Sequence, residues 1–244
     1  MTSMVGCRRA DVEYSRTRGA SELRCDAIDI SRAEVRPWVR MKLTTITQVS
    51  VDGVMQAPGV NLAEGDSSMV ERRGWAHFDD EAGLVMNEVF QNAGAFLFGR
   101  RTYDHFASTW GAWDDPGDSP IWTALHTLPK YVVSTSLTDP RWAGTTVISG
   151  DVARAIIDLK AKPGRELQVH GSGALFRWLR DHDLVDEMTL FTFPVVVGQG
   201  TRLFPATGPD AALELVTSQV TSSGVTIQSY RVIGKRHDSR LADA

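Results

Sequence analysis

Hydrophobic positions along the chain alternate between short β-branched runs and longer runs at helical spacing. The clearest strand pattern is Leu43–Val51, which ends at the turn signal Asp52-Gly53. A helical pattern follows Asp79-Asp80-Glu81, whose acidic side chains suit the positive start of a helix. Its apolar residues are Leu84, Val85, Val89 and Phe90. The pattern predicts a strand and then a helix, an order that recurs along the chain.

The later segments continue this alternation. We predict strands at Ala95–Phe98, Lys130–Ser136, Thr146–Ser149, Glu166–His170, Val185–Phe193 and Val195–Val197, and helices from Arg101–Phe106, at Val152–Lys160 and at Ala174–Asp181. Gly111–Pro120 is predicted to be an acidic, aromatic loop, and Leu213–Ser218 and Val225–Val232 a closing hairpin around Ser222–Gly224. The order favours an α/β fold in three α/β/α layers, with a mostly parallel mixed sheet and an antiparallel C-terminal hairpin.

The first forty residues differ in composition from the rest. They hold eight Arg, no Lys and six acidic residues, and both cysteines, Cys7 and Cys25, lie among them. Their apolar periodicity is weak, so we predict a disordered extension over residues 1–40 and a natural start at Met41. One domain is then expected over 41–234, with a polar tail over 235–244. A Cys7–Cys25 disulfide is possible, but free thiols in a cytoplasmic protein are the simpler interpretation.

Charge and composition narrow the function classes. The chain has 244 residues and a net charge of −4, without a basic cluster, which disfavours nucleic acid or an anionic membrane as partner. No apolar run approaches the roughly 20 residues of a spanning helix, and no secretory signal opens the chain. The six histidines show no metal-ligand spacing. We therefore expect a cytoplasmic protein that acts on a small molecule and uses no metal.

Three polar segments follow predicted strands and suit a phosphate group. The arginine segment is Gly99-Arg100-Arg101-Thr102, the serine segment is Ser134-Thr135-Ser136, and the glycine turn is His170-Gly171-Ser172-Gly173-Ala174. Backbone N–H groups at a helix start, guanidinium groups and hydroxyls all bind anions. Each segment also has an ordinary structural explanation: solvated arginines, a capped turn, or a tight turn with a structural histidine. The glycine turn lacks the full dinucleotide fingerprint.

Taken together and in this order, the segments resemble a known family. TTITQVSVDGVM, AFLFGRRTYDHF, PKYVVSTSL, ELQVHGSGALFRWL and LVDEMTLFTFPVVVGQGTRLF are spread over almost all of residues 41–234. The sequence resembles the dihydrofolate-reductase-like superfamily. Within it, the chain is most similar to stand-alone relatives of the reductase domain of the riboflavin-biosynthesis deaminase–reductase.

The resemblance implies an NADPH site and a cytoplasmic homodimer. It assigns phosphate contacts to Gly99, Arg100, Arg101 and Thr102, and contacts with the adenosine 2′-phosphate to Ser134, Thr135 and Ser136. The pyrophosphate would contact His170, Gly171, Ser172, Gly173, Ala174 and Leu175. The nicotinamide would lie beside Thr47, Gln48 and Met55. Arginine beside hydroxyls suits a 2′-phosphate, so NADPH is expected rather than NADH.

The substrate side is less defined by the sequence. Asp52 lies near the expected hydride path and is our candidate general acid, which would need a pKa raised by burial. The alternative is that Asp52 only shapes the turn. Trp75 and Phe78 are loop aromatics that suit either a flat substrate or the core. Gly198 and Gln199 could line the opposite wall.

Two classes of function follow from these observations. The first is an NADPH-dependent reductase of a C=N or C=O bond in a small heterocyclic or sugar-derived substrate. One candidate of this kind is an enzyme similar to 5-amino-6-(5-phosphoribosylamino)uracil reductase of riboflavin biosynthesis. The second is a non-catalytic nucleotide-binding or sensing protein on the same fold. A conventional dinucleotide-domain dehydrogenase is disfavoured because the early glycine fingerprint is absent.

Overall fold

One mixed sheet with helices on both faces organises the chain. The computed structural model describes residues 40–56, 74–114, 116–208 and 210–234. The strands are β1 Leu43–Ser50, β2 Ala93–Gly99, β3 Lys130–Val133, β4 Thr145–Ile148, β5 Glu166–His170, β6 Glu187–Phe193, β7 Ala212–Val220 and β8 Thr226–Gly234. The helices are α1 Asp80–Gln91, α2 Arg100–Ser108, α3 Pro120–Thr127, α4 Val152–Lys160 and α5 Gly173–Asp181, with a 3₁₀ helix at Trp110–Ala112.

The strand order is β4-β3-β2-β5-β1-β6-β8-β7. The first six strands in this order run parallel to one another, and β8 pairs antiparallel with both β6 and β7. All carboxyl ends of the parallel strands therefore meet at one edge of the sheet, which we call the carboxyl edge. This arrangement confirms the predicted α/β class, the mostly parallel sheet and the C-terminal antiparallel pair.

The two sheet faces carry separate hydrophobic clusters because side chains alternate along each strand. On β2, Leu97 belongs to the cluster under α4 and α5, whereas Phe96 and Phe98 belong to the cluster under α1, α2 and α3. We call these the α5 face and the α1 face. The side chains of Phe96, Leu97 and Phe98 are all fully buried. The central strands are thus apolar on both faces, as buried parallel strands require.

Helix α1 begins at a side-chain cap that also holds the hairpin. Asp79 accepts the N–H of Ala82 at 2.7 Å, and the hydroxyl and N–H of Ser223 donate to the same carboxylate. Glu81 accepts the N–H of Ser222 at 2.8 Å. The Ser223 hydroxyl is the main reason that the pKa of Asp79 is lowered to about 2. The acidic opening of α1 therefore fastens the β7–β8 turn to the body of the domain.

Several predicted boundaries change in the structure. Val195–Val197 was predicted to be a strand, which is wrong: the chain leaves the sheet after Phe193, and this segment bonds the end of β1 and its turn instead, through the Val195 carbonyl to the N–H of Val51 and the N–H of Val197 to Asp52. Helix α3 was not predicted, and β3 ends at Val133, so the serine segment follows the strand. Most of the predicted extension, residues 1–39, and the tail 235–244 lie outside the described residues. Within the described ranges, no helix has the length and apolar character to cross a membrane.

The central strand β1 carries buried hydroxyls that make no hydrogen bond. Thr44, Thr45 and Thr47 each bury an Oγ1 atom that has no partner among the described residues. An unpaired buried polar atom loses its hydration without compensation, which costs about 1–3 kcal/mol. Thr45 is only 1% exposed and lies away from the carboxyl edge, so its hydroxyl has no evident task.

We predict that Thr45→Val raises the free energy of unfolding by about 1 kcal/mol, because a methyl group replaces an unpaired hydroxyl of the same shape. The matched control is Thr189→Val on β6. The Thr189 hydroxyl bonds the Ser229 hydroxyl at 2.9 Å, so this change should lower stability instead. Urea unfolding of the three proteins measures both differences. Equal destabilisation by the two substitutions would contradict the assignment of Thr45 as an unpaired hydroxyl.

Candidate cofactor and substrate site

The structure brings the three polar segments together at the carboxyl edge. The N–H of Gly99 donates to Ser172 Oγ at 3.1 Å, which joins the arginine segment to the glycine turn. Arg100 Nη1 lies 3.4 Å from Ser136 Oγ, which joins it to the serine segment. This contact is possible because β2 lies between β3 and β5 in the sheet. Contacts between residues that are 36 and 73 positions apart in the sequence therefore join the three segments into one polar surface.

The glycine turn is left-handed where β5 passes into α5. Gly171 has φ +59° and Ser172 has φ 52°, a conformation that is costly for a residue with a side chain. Ser172 is held there while its hydroxyl accepts from Gly99. A Cβ added at Gly171 would meet no atom within 4 Å, whereas one at Gly173 would lie 2.7 Å from Met55 Sδ. The turn thus leaves open space at Gly171 and lets Met55 approach the start of α5.

The arginine segment is oriented from its own helix. Arg100 Nε contacts both carboxylate oxygens of Asp104, at 2.8 and 2.9 Å, one helical turn further along α2. Ser134 Oγ accepts the N–H groups of Ser136 and Leu137 at 3.2 and 3.1 Å, which closes the serine segment into a compact turn. Arg101 and Thr135 are exposed beside them, and Thr102 is half-buried. A guanidinium and a row of hydroxyls therefore face the same region.

We use the name β1–β5 crevice for the place in the middle of the carboxyl edge where the pairing of these two strands ends. The pairing of these strands ends at Ile46 and His170, and the N–H of Gly171 makes the last bond, to the Ile46 carbonyl at 3.0 Å. Strand β1 continues beside β6 for four further residues. In an open α/β sheet, ligands bind where neighbouring strands connect in opposite directions. This is the case for β1 and β5, because β1 leads through α1 to β2 on one side and β5 leads through α5 to β6 on the other.

Two side chains of β1 mark this crevice. Gln48 is the only residue of the strand that is not buried, although β1 lies at the centre of the sheet. Thr47 is 2% exposed and its hydroxyl has no partner among the described residues. The family resemblance assigns these two residues to the nicotinamide together with Met55, whose sulfur lies beside Gly173 at the start of α5.

The predicted substrate residues Trp75 and Phe78 lie at the end of β6. The Trp75 ring packs edge-on against Phe193 at 5.9 Å, and its indole N–H donates to the Gln56 carbonyl at 3.0 Å. Phe78 packs against Phe191 and Phe193 at 5.7 and 5.2 Å, yet remains 40% exposed. They contribute to the core and also leave an aromatic surface at the edge, so the two interpretations of these aromatics are compatible.

Asp52 is a bound, ionised carboxylate. It accepts the Ser50 hydroxyl at 2.6 Å and the N–H groups of Val197 and Gly198 at 3.1 and 3.0 Å, and Arg202 lies at 3.5 Å. The Ser50 hydroxyl first, and then the backbone N–H groups, lower the pKa of Asp52 to about 2. A general acid needs the opposite shift. The geometry therefore favours a structural role: Asp52 bonds Ser50 within the turn, as the alternative interpretation supposed, and it also holds the loop that carries Gly198 and Gln199 against the end of β1.

The His170 side chain points away from the glycine turn. It lies on the α1 face, stacked on Phe90 at a centroid distance of 4.4 Å, with Phe96 and Phe106 nearby. Burial lowers the pKa of His170 to about 3, so the imidazole is neutral at physiological pH. The backbone of His170 belongs to the predicted phosphate turn, but its ring does not.

Sequence reasoning missed the residues that organise these groups. Gln168 bonds His170, and Gln56 joins Trp75 to Thr201, whose N–H donates to Gln56 Oε1 at 2.8 Å. The alternation Glu166, Gln168, His170 along a predicted strand was an available signal, because it places three polar side chains on one face. The described residues hold no cluster of His, Cys, Asp and Glu suited to a metal ion.

An open α/β sheet with polar segments at its carboxyl edge is the arrangement of many ligand-binding α/β proteins. Comparison with known proteins gives the family. Residues 37–227 match the family described as RibD C-terminal domain. The chain belongs to this family. It is 26% identical over 167 residues to the uncharacterized protein YyaP of Bacillus subtilis strain 168, covering 66% of this chain and 84% of YyaP.

Two solved structures share the fold. A putative riboflavin biosynthesis protein from Shewanella sp. PV-4 has a TM-score of 0.57 and 22% identity, with 79% of this chain and 99% of that chain covered. Dihydrofolate reductase from Enterococcus faecalis, solved with NADP(H), has a TM-score of 0.52 and 14% identity over 81% of this chain and 99% of its own. These results confirm the resemblance and the dihydrofolate-reductase-like fold, and the family supports an oxidoreductase of the reductase type.

We predict that Asp52→Asn lowers the free energy of unfolding above pH 5, because an ionised acceptor of three hydrogen bonds is lost. The pKa of Asp52 is lower in the folded protein than in the unfolded chain. Its stabilising contribution is therefore present above about pH 4 and is lost as the pH falls towards 2. Urea unfolding of both proteins at pH 7, 5 and 3 measures the difference, which should shrink at pH 3. A difference that grows as the pH falls, or none at pH 7, would contradict this role.

Proposed function

We propose that this protein is an NADPH-dependent reductase that delivers hydride to a C=N or C=O bond of a small heterocyclic or sugar-derived substrate. The observation that carries the proposal is the junction of Gly99 with Ser172 and of Arg100 with Ser136 beside the β1–β5 crevice. This junction supports the proposal because a guanidinium group, hydroxyls and backbone N–H groups, which suit an anion, lie beside that crevice. Family membership supports the same class of chemistry.

The residues at the edge fit a dinucleotide phosphate. The left-handed glycine turn and the N-terminus of α5 would bind the pyrophosphate through backbone N–H groups. Arg100, with the hydroxyls of Ser134 and Ser136, would bind a 2′-phosphate, since guanidinium and hydroxyl donors suit a dianion. The unpaired hydroxyl of Thr47 and the open space at Gly171 would accept the nicotinamide end.

The chain itself would supply positioning rather than covalent chemistry. Bound NADPH would supply the hydride from its nicotinamide ring. Met55 at the start of α5 would limit where that ring can lie, and Phe78 would offer an aromatic surface to a flat substrate. The loop fixed by Asp52 would close the far side. An ionised Asp52 holds no proton to give at neutral pH, so we do not propose it as the acid.

A homodimer remains part of this proposal. Strand β7 is the outer edge of the sheet, and eight of its nine residues are exposed. Leu215, Val216 and Val220 are between 44% and 65% exposed on it. An apolar edge strand of this kind is usually covered, which supports the dimer that the family resemblance implies.

We predict that Arg100→Ala weakens NADPH binding about tenfold or more and changes NADH binding less than twofold, since a charge-assisted bond to a phosphate contributes about 1.5–3 kcal/mol. Fluorescence energy transfer from tryptophan to the bound nicotinamide measures both affinities. The matched control is Arg231→Ala, which also removes a paired arginine. Arg231 lies on β8, and its side chain bonds Glu214 at 2.6 Å. It should change neither affinity.

Equal losses for NADPH and NADH in Arg100→Ala would contradict the 2′-phosphate assignment, and no binding of either nucleotide by the native protein would contradict the cofactor site. Turnover distinguishes the reductase from the alternative, a sensing protein. A reductase should oxidise bound NADPH when a suitable C=N or C=O compound is added, whereas a sensor would bind NADPH and leave it unchanged with every compound.

A further inference from the structure

A cavity lies at the amino edge of the sheet, where the parallel strands begin. It has a volume of about 530 Å³, which is in the range of small-molecule sites, and it lies between the end of α4 and the starts of β1 and β6. Because β1 is eight residues long, this amino-edge cavity lies about 25 Å from the carboxyl edge. The proposed reductase function makes no use of it.

Backbone hydrogen bonds fix the walls of the amino-edge cavity. The N–H of Met41 donates to the Lys162 carbonyl at 3.1 Å, which ties the chain before β1 to the segment after α4. Asp186 bridges the opposite wall, because its N–H donates to the Leu43 carbonyl at 3.0 Å and its carbonyl accepts from the Val232 N–H at 2.9 Å. The cavity is therefore preformed, as small-molecule sites usually are.

Two lysines in the lining are paired with carboxylates. Lys42 Nζ lies 2.8 Å from Glu187 Oε2. Lys160 Nζ lies 2.8 Å from Asp186 Oδ2 and donates to the Leu184 carbonyl at 2.9 Å. An ammonium group has three donors, of which these contacts of Lys160 use two. Pairing with the lysines also offsets the repulsion that the two carboxylates would exert on an anion in the cavity.

Two arginines complete the charge of the cavity. Arg231 bonds Glu214, which lies outside the lining, at 2.6 Å. Arg40 is exposed and has no carboxylate partner among the described residues. Of the basic side chains in the described part of the lining, Arg40 is therefore the one whose charge is not offset by an ion pair. A cavity with one such charge favours a ligand that carries one negative charge.

The rest of the lining is aliphatic. Met41 and Leu184 are each 7% exposed, and Val232 lies beside them. Ile157 on α4 is 48% exposed, so it offers apolar surface to whatever occupies the cavity. No aromatic side chain is found among the described residues that line it. Aliphatic walls without aromatic rings suit an alkyl chain rather than a stacked ring.

We propose that the amino-edge cavity binds an aliphatic carboxylate, with its alkyl chain against Ile157, Met41 and Val232 and its carboxylate on the Arg40 guanidinium. A guanidinium binds a carboxylate through two parallel hydrogen bonds, and the third N–H of Lys160 is a further donor. The alkyl chain gains free energy because it and the aliphatic walls leave water together. This site is independent of the proposed reductase function.

The test uses octanoate as probe, titrated by calorimetry into the full chain without nucleotide and again with saturating NADPH. Binding should saturate at millimolar concentration or below, with the same affinity in both titrations. The uncharged analogue 1-octanol should bind about tenfold more weakly, because it cannot form the charge-assisted bonds. In ¹³C methyl spectra, octanoate should shift the Met41 methyl resonance.

Two variants of exposed residues test the two ends of the ligand. Arg40→Ala should weaken octanoate binding about tenfold, and Arg40→Lys, which keeps the charge without the parallel bonds, should lie between. Ile157→Asp should weaken binding by at least as much, because it places a negative charge against the alkyl chain. The matched control is Arg154→Ala on the same helix, where Arg154 pairs with Asp158 at 3.0 Å outside the lining. It should bind octanoate as the native protein does.

The proposal is overturned if octanoate does not saturate the native protein at millimolar concentration, or if either Arg40→Ala or Ile157→Asp binds it unchanged. Displacement of octanoate by NADPH would also overturn it, since the probe would then lie at the carboxyl edge. An affinity that falls as the protein concentration rises would show that a second copy covers the cavity instead. Failure of NADPH itself to bind would refute only the proposed function.

Discussion

The site depends on one constraint, which is that β5 stops pairing with β1 before β1 stops pairing with β6. The last bond between β1 and β5 runs from the Gly171 N–H to the Ile46 carbonyl. Beyond it the chain must turn into α5, and a left-handed turn through Gly171 and Ser172 makes this possible. The crevice, the open space at the turn and the exposure of Gln48 all follow from this early end of pairing. A sheet with full-length pairing would have buried Gln48 and left no opening.

The two sides of the crevice differ in charge. On the β2 and β3 side, Asp104 orients Arg100 towards Ser136, so the local field favours an anion. On the β6 side, the charge of Asp52 is used by Ser50 and two backbone N–H groups, and the exposed surface is aromatic. The neutral His170 lies between these sides. This division suits a ligand with a phosphate end and a flat, uncharged end, which is the shape of a nicotinamide dinucleotide meeting a heterocycle.

Local signals were enough for much of the fold, and long-range contacts explain the rest. Helix Val152–Lys160 and strand Glu166–His170 were predicted with the observed ends, because Asp151 caps the helix and Pro163-Gly164 separates the two elements. Helix α3 was missed because it is short and begins at Pro120 within a segment that looks like a loop. Val195–Val197 is strand-like in composition, but its backbone bonds Val51 and the Asp52 side chain at the end of β1, so it forms a loop.

The candidate site shows the same division. The three polar segments could be placed at one edge from the sequence, because strand ends in a parallel sheet meet. The pKa of Asp52 could not be predicted, since its partners Val197 and Gly198 lie about 145 residues away in the chain. The direction of the His170 ring depends on strand register and on Gln168, neither of which a motif encodes. Motifs therefore predicted which segments meet at the carboxyl edge, and only packing showed which side chains contact one another there.

Amide hydrogen exchange with and without saturating NADPH tests the central claim most directly, because it locates the bound nucleotide without any knowledge of the substrate. We predict that NADPH slows exchange in peptides that cover residues 99–102, 134–136 and 171–175 and leaves exchange in the β7–β8 hairpin unchanged. NADPH that binds but slows exchange elsewhere, leaving these three segments unchanged, would contradict the assignment of the carboxyl edge as the cofactor site.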